Sequence, residues 1–149
     1  MINVIQKGNI RSINISPKKG VKKTPVESVE INAEGIANDA HAGAWHRQIS
    51  LLADESAEKM REIAPEIGPG DFAENITTRG IDFKSVRIGQ KIMINDKVSL
   101  EITQLGKQCH DSCEIKAKVG YCVMPAEGIF SKVLTGGVIK IGDEVIIYE

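Results

Sequence analysis

Apolar and polar residues alternate over much of this chain. Val98, Leu100 and Ile102 alternate with Ser99, Glu101 and Thr103, the pattern of a strand with one buried face. The same period appears at Asn9–Ser16, where Ile13 and Ile15 oppose Ser12 and Asn14, and where Val29 and Ile31 bracket Glu30. Gln48–Ala53, Ala73–Thr78, Ile88–Asn95, Val138–Ile141 and Val145–Tyr148 read as further strands, while Ile129–Leu134 fits strand and helix equally. Turn residues punctuate the runs: Pro17–Gly20, the hairpin pair Asn95-Asp96, Gly136-Gly137 and Gly142-Asp143. One stretch has the helical period instead. From Glu55 to about Ala64, the residues Ala57, Met60, Ile63 and Ala64 share a face. Asp54 is placed to cap this helix, and Pro65 with Gly68-Pro69-Gly70 ends it. The stretch 87–94 echoes 140–147, a reused glycine turn entering a strand and too isolated to be an array. The expectation is a mainly β fold, a β-barrel with one short helical insert, formed as a single domain over residues 1–149 with no linker dividing it.

Composition narrows the function classes. A chain of 149 residues can bury roughly 68–70% of its unfolded surface, so it needs no metal or disulfide for bare stability. Its net charge of −1 and the lack of basic runs beyond Lys18-Lys19 and Lys22-Lys23 argue against nucleic acid as a partner. No apolar run approaches the roughly 18 residues of a membrane span, and Met1–Gly8 lacks the order of a secretory signal. The expected compartment is the cytoplasm, with no membrane partner. Thiols stay reduced there, which turns attention to the cysteines.

All three cysteines, Cys109, Cys113 and Cys122, fall in one stretch with His110. Buried free cysteine is the plain reading of any one of them; three beside a histidine ask for more. In one reading Cys109, His110, Cys113 and Cys122 hold zinc, since thiolate and imidazole suit a tetrahedral ion. Against it, adjacent Cys and His side chains set out in different directions, and no second cysteine pair is present. In the other reading one thiolate is the working atom: it attacks a sulfur donor, carries a persulfide or ligates a soft metal. Lys107, His110, Lys116 and Arg47 are the candidate positive neighbours that would keep it ionised.

A second segment, Gly35–Ser50, is rich in small and polar residues and holds Asp39, His41, His46, Arg47 and the single tryptophan. Its plain reading is a solvated loop; its functional reading is a set of polar groups on a rigid scaffold. Asp39 and His41 are close enough in sequence for an acid–base pair, although that spacing is weak evidence. Phosphate loops, dinucleotide fingerprints and Gly-x-Ser-x-Gly are absent from the sequence.

Taken together, Gly35, Asp39 to Gly43, Arg47 to Leu52, Gly70 to Ile76, Ile88-Gly89, the cysteine stretch and Gly136 to Asp143 resemble the MOSC domain. This is the C-terminal domain of molybdenum cofactor sulfurases, and the chain resembles in particular its small stand-alone bacterial members. The resemblance runs from about Ile10 to Tyr148 and implies a MOSC-type β-barrel with a role around the molybdenum cofactor (molybdopterin). It places the family's key cysteine at Cys113, as sulfur carrier or molybdenum ligand. It places Asn75 near the pterin phosphate, and Asp39, His41 and Arg47 in the polar loop facing the same pocket; Lys107 is a further candidate cofactor-binding residue. Cys109, His110 and Cys122 are auxiliary ligands at most. The pyridoxal-phosphate desulfurase domain of the larger sulfurases is not in this sequence. A cysteine desulfurase or other sulfur donor is therefore an expected partner, with cofactor biosynthesis proteins or a recipient molybdoenzyme. Two alternatives stand beside this carrier: a molybdenum-dependent reductase component acting on N-hydroxylated substrates, and a zinc-stabilised, non-catalytic binding module.

Overall fold

A computed structural model describes residues 3–18, 22–106 and 127–149 of the chain. The strands are β1 (Val4–Ile15), β2 (Thr24–Val26), β3 (Ser28–Asn32), β4 (Gly35–Ile36), β5 (Ile49–Ala53), β6 (Ile76–Arg79), β7 (Lys91–Ile94), β8 (Val98–Leu105), β9 (Ile129–Thr135), β10 (Gly137–Lys140) and β11 (Glu144–Tyr148). The helix α1 spans Asp54–Ile63. The main sheet runs β11-β7-β8-β9-β5-β6-β1-β2, and pairing of β11 with β1 closes it. The result is the expected mainly β architecture, a closed seven-stranded barrel with a helical insert. A small second sheet, β10-β3-β4, lies beside it.

Alternation fills the barrel. Val98, Leu100 and Ile102 of β8 are fully buried, as are Ile92 and Ile94 of β7 and Val145 and Ile147 of β11. Each such side chain contributes about 1.5–3 kcal/mol on leaving water. Strand β5 is apolar at nearly every position because both its faces are covered. Ile49, Leu51 and Ala53 join the barrel core, whereas Leu52 turns to a second cluster with Ala57, Met60, Ala64, Ile67, Phe72 and Phe130. Strand β6 then returns parallel to β5, because the helix carries the chain back to the starting end.

Several expectations are corrected in detail. Asp54 is the first residue of α1 and makes no capping bond; its carboxylate meets Arg61 at 3.0 Å and Arg79 at 3.1 Å. Ile63, assigned to the buried face, is 59% exposed because the helix ends before a partner covers it. The strand expected from Ala73 begins only at Ile76. The preceding residues coil tightly, with Ala73 at φ 62° and Gly70 so close to the Lys23 carbonyl that a Cβ would lie 2.1 Å from it. Gly136-Gly137 does not reverse the chain but passes it from β9 to β10; a Cβ on Gly136 would lie 2.3 Å from the Ile31 carbonyl. The Asn95-Asp96 hairpin is as expected, with φ of 51° and 63° suiting a turn that matches strand twist. Ile129–Leu134 is settled as strand, and β2 and β4 are too short for periodicity to reveal.

Candidate functional site

The site grows from the segment joining β4 to β5, and Asp39 organises its start. The Asp39 carboxylate accepts hydrogen bonds from the Lys23 ammonium at 2.7 Å, the Ser16 N–H at 3.0 Å and the His41 N–H at 3.1 Å. Both side chains of the Lys23–Asp39 pair are 0% exposed. Burial pushes this carboxyl's pKa upward, but the hydrogen bond and charge of Lys23, with the two backbone N–H groups, outweigh it and leave the pKa lowered. Asp39 is therefore a fixed anion pinning the segment to the end of β1. Its contact with His41 Nδ1, at 3.8 Å, is too long for a hydrogen bond.

The other end is fixed by Gln48, whose amide donates to the Ala33 and Gly43 carbonyls and accepts from the Val133 N–H of β9 at 2.8 Å. Between these anchors lies an aromatic and cationic cluster. The Trp45 indole donates to the His41 carbonyl at 2.8 Å and lies parallel to the His41 ring at 6.3 Å. His46 meets the same indole edge-on. The Arg47 guanidinium lies 4.9 Å from the Trp45 ring and 5.5 Å from that of Phe130 on β9. Its Nε is buried with no hydrogen-bond partner.

This cluster rests on the two strands that lead into and out of the cysteine stretch. His46 Nε2 bonds the Gln104 side-chain oxygen at 2.9 Å, the Thr103 hydroxyl donates to the His46 carbonyl, and the Gln104 amide donates to the Gly106 carbonyl at 2.9 Å. Gly106 N–H then bonds the Gly128 carbonyl, closing a neck between β8 and β9. Lys107, Cys109, His110, Cys113 and Cys122 lie outside the described residues. Among the described residues, no group of three or more His, Cys, Asp or Glu could hold a metal ion.

Asn75 is placed differently. It is fully buried, its oxygen accepts from the Ser50 N–H and hydroxyl, and its amide donates to the Asn14 carbonyl. It thereby ties β5 and β1 beside the start of β6, and its partners are not members of the 39–47 segment. Beside it Glu74 is a buried carboxyl that accepts from Thr77, Gly70 and Phe72. Burial raises its pKa, and those hydrogen bonds offset the rise only in part.

Sequence reading missed Lys23, Gln48, Glu74 and Gln104. Lys23 was legible only as part of the short basic run Lys22-Lys23, and a glutamine carries no pattern of its own. A cleft of about 320 Å³ lies between α1 and the 80–84 turn, and Asp39, His41, Arg47 and Asn75 do not line it. Glu127, the first described residue after the cysteine stretch, sits at its rim, bonded to Ser56 at 3.0 Å and Lys59 at 2.8 Å.

The described residues form a closed barrel with a polar segment laid across the ends of β8 and β9. The MOSC domain family profile matches residues 38–146, and the chain belongs to that family, which is linked to molybdenum cofactor-related proteins. The YUAD protein of Bacillus subtilis superposes with a TM-score of 0.82 at 18% identity, covering 100% of this chain and 99% of that one. YiiM of Geobacillus stearothermophilus gives 0.71 at 23% identity over 95% of this chain and 75% of its own. YiiM of Escherichia coli gives 0.64 at 13% identity, with coverages of 95% and 70%. At these identities the likeness is one of fold. Curated protein sequences give no match. No helix among the described residues is long and apolar enough to cross a membrane.

The molybdenum cofactor ends in a phosphate, and the described residues fit such an anion at one point. Arg47 is a ring-stacked cation whose buried Nε has no hydrogen-bond partner. Asp39 and Asn75 present no spare polar atom toward a ligand, their groups being engaged within the protein.

Proposed function

We propose that this protein binds the molybdenum cofactor, or a precursor of it, against Arg47 and the His41 segment, and that Cys113 carries sulfur to it or ligates its metal. The observation that carries this reading is the docking of the Arg47 segment on both strands of the neck, through Gln104 on β8 and Phe130 on β9. The stretch that holds Cys113 joins the described chain at Gly106 and Glu127, and Gly106 is bonded to Gln104, which also bonds His46 beside Arg47. Arg47 would hold the anionic end by charge-assisted hydrogen bonds. Asp39 and Asn75 would act as positioning residues, keeping the 39–47 segment and β5 in place. His110 or Lys107 would keep the Cys113 thiol ionised.

In the sulfur-carrier form, the Cys113 thiolate attacks the outer sulfur of a persulfide on a partner such as a cysteine desulfurase. A new S–S bond forms at Cys113 as the donor's S–S bond breaks, and the donor leaves as a thiol with no external oxidant. When bound, the cofactor supplies a molybdenum centre able to receive that sulfur or a thiolate.

Anaerobic purification followed by intact mass and elemental analysis tests the reading. A gain of one sulfur, or copurifying molybdopterin, is expected in the wild type and absent in Cys113→Ser, with Cys122→Ser much closer to wild type. Arg47→Met is expected to lower cofactor retention tenfold or more, since a hydrogen bond to a charged group is worth about 1.5–3 kcal/mol. Equal loading in Cys113→Ser defeats the assignment, and stoichiometric zinc without molybdenum favours the binding-module alternative.

A further inference from the structure

We infer that Trp45 is a positioning residue for the anion site: with Phe130 it forms an aromatic clamp that holds the Arg47 guanidinium ready for a phosphate-type oxyanion. The inference deepens the reading of Arg47 as the anion-holding group and rests on it; it involves no thiol and no metal.

Arg47 is held in two different ways. Its main chain is fixed by its neighbours: the Thr103 hydroxyl donates to the His46 carbonyl, and the Gln48 side chain bonds Ala33, Gly43 and Val133. None of these bonds reaches the guanidinium. That group instead meets two rings, its central carbon lying 4.9 Å from the Trp45 centroid and 5.5 Å from that of Phe130. Its Nε is out of water and has no hydrogen-bond partner. A buried donor without a partner is costly, so attraction between the cation and the ring faces must offset the loss. Arginine suits such a place because its guanidinium is planar and weakly hydrated. The compact, strongly hydrated ammonium of lysine does not.

The two rings are supported differently. Phe130 is buried among Leu52, Ala57 and Met60 and forms a fixed wall. Trp45 is partly exposed and is oriented by its own segment. Its indole donates to the His41 carbonyl at 2.8 Å, and the His41 and His46 rings flank it at 6.3 and 6.1 Å. A carboxylate in its place would orient Arg47 equally well but would cancel the charge. An aromatic face orients the cation and leaves that charge for a ligand. A guanidinium presented in this way matches the oxygens of a phosphate through paired, charge-assisted hydrogen bonds.

Heteronuclear NMR on the isotope-labelled full chain reads Arg47 directly, with its Nε–H resonance assigned by its loss in Arg47→Lys. In the wild type that resonance is expected to be displaced by ring currents, slow to exchange with water, and moved by titration with inorganic phosphate. Trp45→Leu removes the ring. It should return the resonance toward those of exposed arginines and weaken phosphate binding about threefold or more, the scale of a partly desolvated cation–π contact. Trp45→Phe restores a ring without the indole N–H, and should keep most of the displacement and bind phosphate more tightly than Trp45→Leu. Circular dichroism and the amide spectrum establish that each variant is folded. If Trp45→Leu leaves both the resonance and the phosphate affinity unchanged, the inference is overturned while Arg47 stays the anion-holding group. If Trp45→Phe is as impaired as Trp45→Leu, the hydrogen bond to His41 and not the ring face does the positioning, and the inference is again overturned. Phosphate that leaves the wild-type resonance unmoved overturns the anion reading of Arg47 itself, and the inference with it.

Discussion

Replacing Lys23 by methionine removes one half of a fully buried ion pair and tests how the polar segment is held. The ammonium and the Asp39 carboxylate are 2.7 Å apart, and both side chains are 0% exposed. At an effective dielectric of about 20 their gross attraction is about 6 kcal/mol. Desolvation costs several kcal/mol for each ion, so the intact pair contributes little net stability. Deleting one partner is different, because the Asp39 carboxylate stays buried with only the Ser16 and His41 N–H groups to solvate it. The expected loss at pH 7 is about 3–5 kcal/mol. In urea this is a fall in midpoint of about 2 M at unchanged slope. Lys23→Met/Asp39→Asn should recover part of the loss, because a neutral amide can still accept from Ser16 without a buried charge.

The pH dependence has a definite sign. In the wild type the Asp39 pKa is depressed, so its contribution is present above the unfolded value of about 3.9 and is lost as pH falls through the lower folded value. In Lys23→Met burial acts without the ammonium and raises the folded value instead. The gap between the two proteins should therefore narrow as pH falls toward about 4 and below. A loss under about 1 kcal/mol at pH 7, or a gap that does not change with pH, would refute the reasoning.

Two further outcomes follow from the neighbouring buried groups. Asn75→Ala strands the Ser50 and Asn14 backbone groups and should cost about 2–4 kcal/mol in urea unfolding; a loss of cofactor retention at unchanged stability would instead make Asn75 a ligand-binding group. Glu74 has a raised pKa, so its contribution is fully present below the unfolded value of about 4.3 and declines as pH rises through the folded value. Glu74→Gln should flatten that decline above about pH 4.3, and an unchanged stability–pH profile would contradict the burial argument.

The sequence by itself determined the architecture, because alternation is a local signal that survives averaging over a strand. Val98, Leu100 and Ile102 could be assigned to a core before any fold was known, and the Asn95-Asp96 hairpin followed from turn chemistry alone. It also marked the 39–47 segment and the cysteine stretch as unusual, since residue types are visible without coordinates. Tertiary structure decided what those residue types do. Only the return of β1 beside the polar segment makes Lys23 the partner of Asp39, and only the β8–β9 pairing brings Gln104 and Phe130 under His46 and Arg47. The same holds for Asn75, which looked like a ligand-binding side chain and is enclosed between β1 and β5. These pairings join residues separated by 16 to 83 positions, and no local periodicity encodes which distant groups will meet.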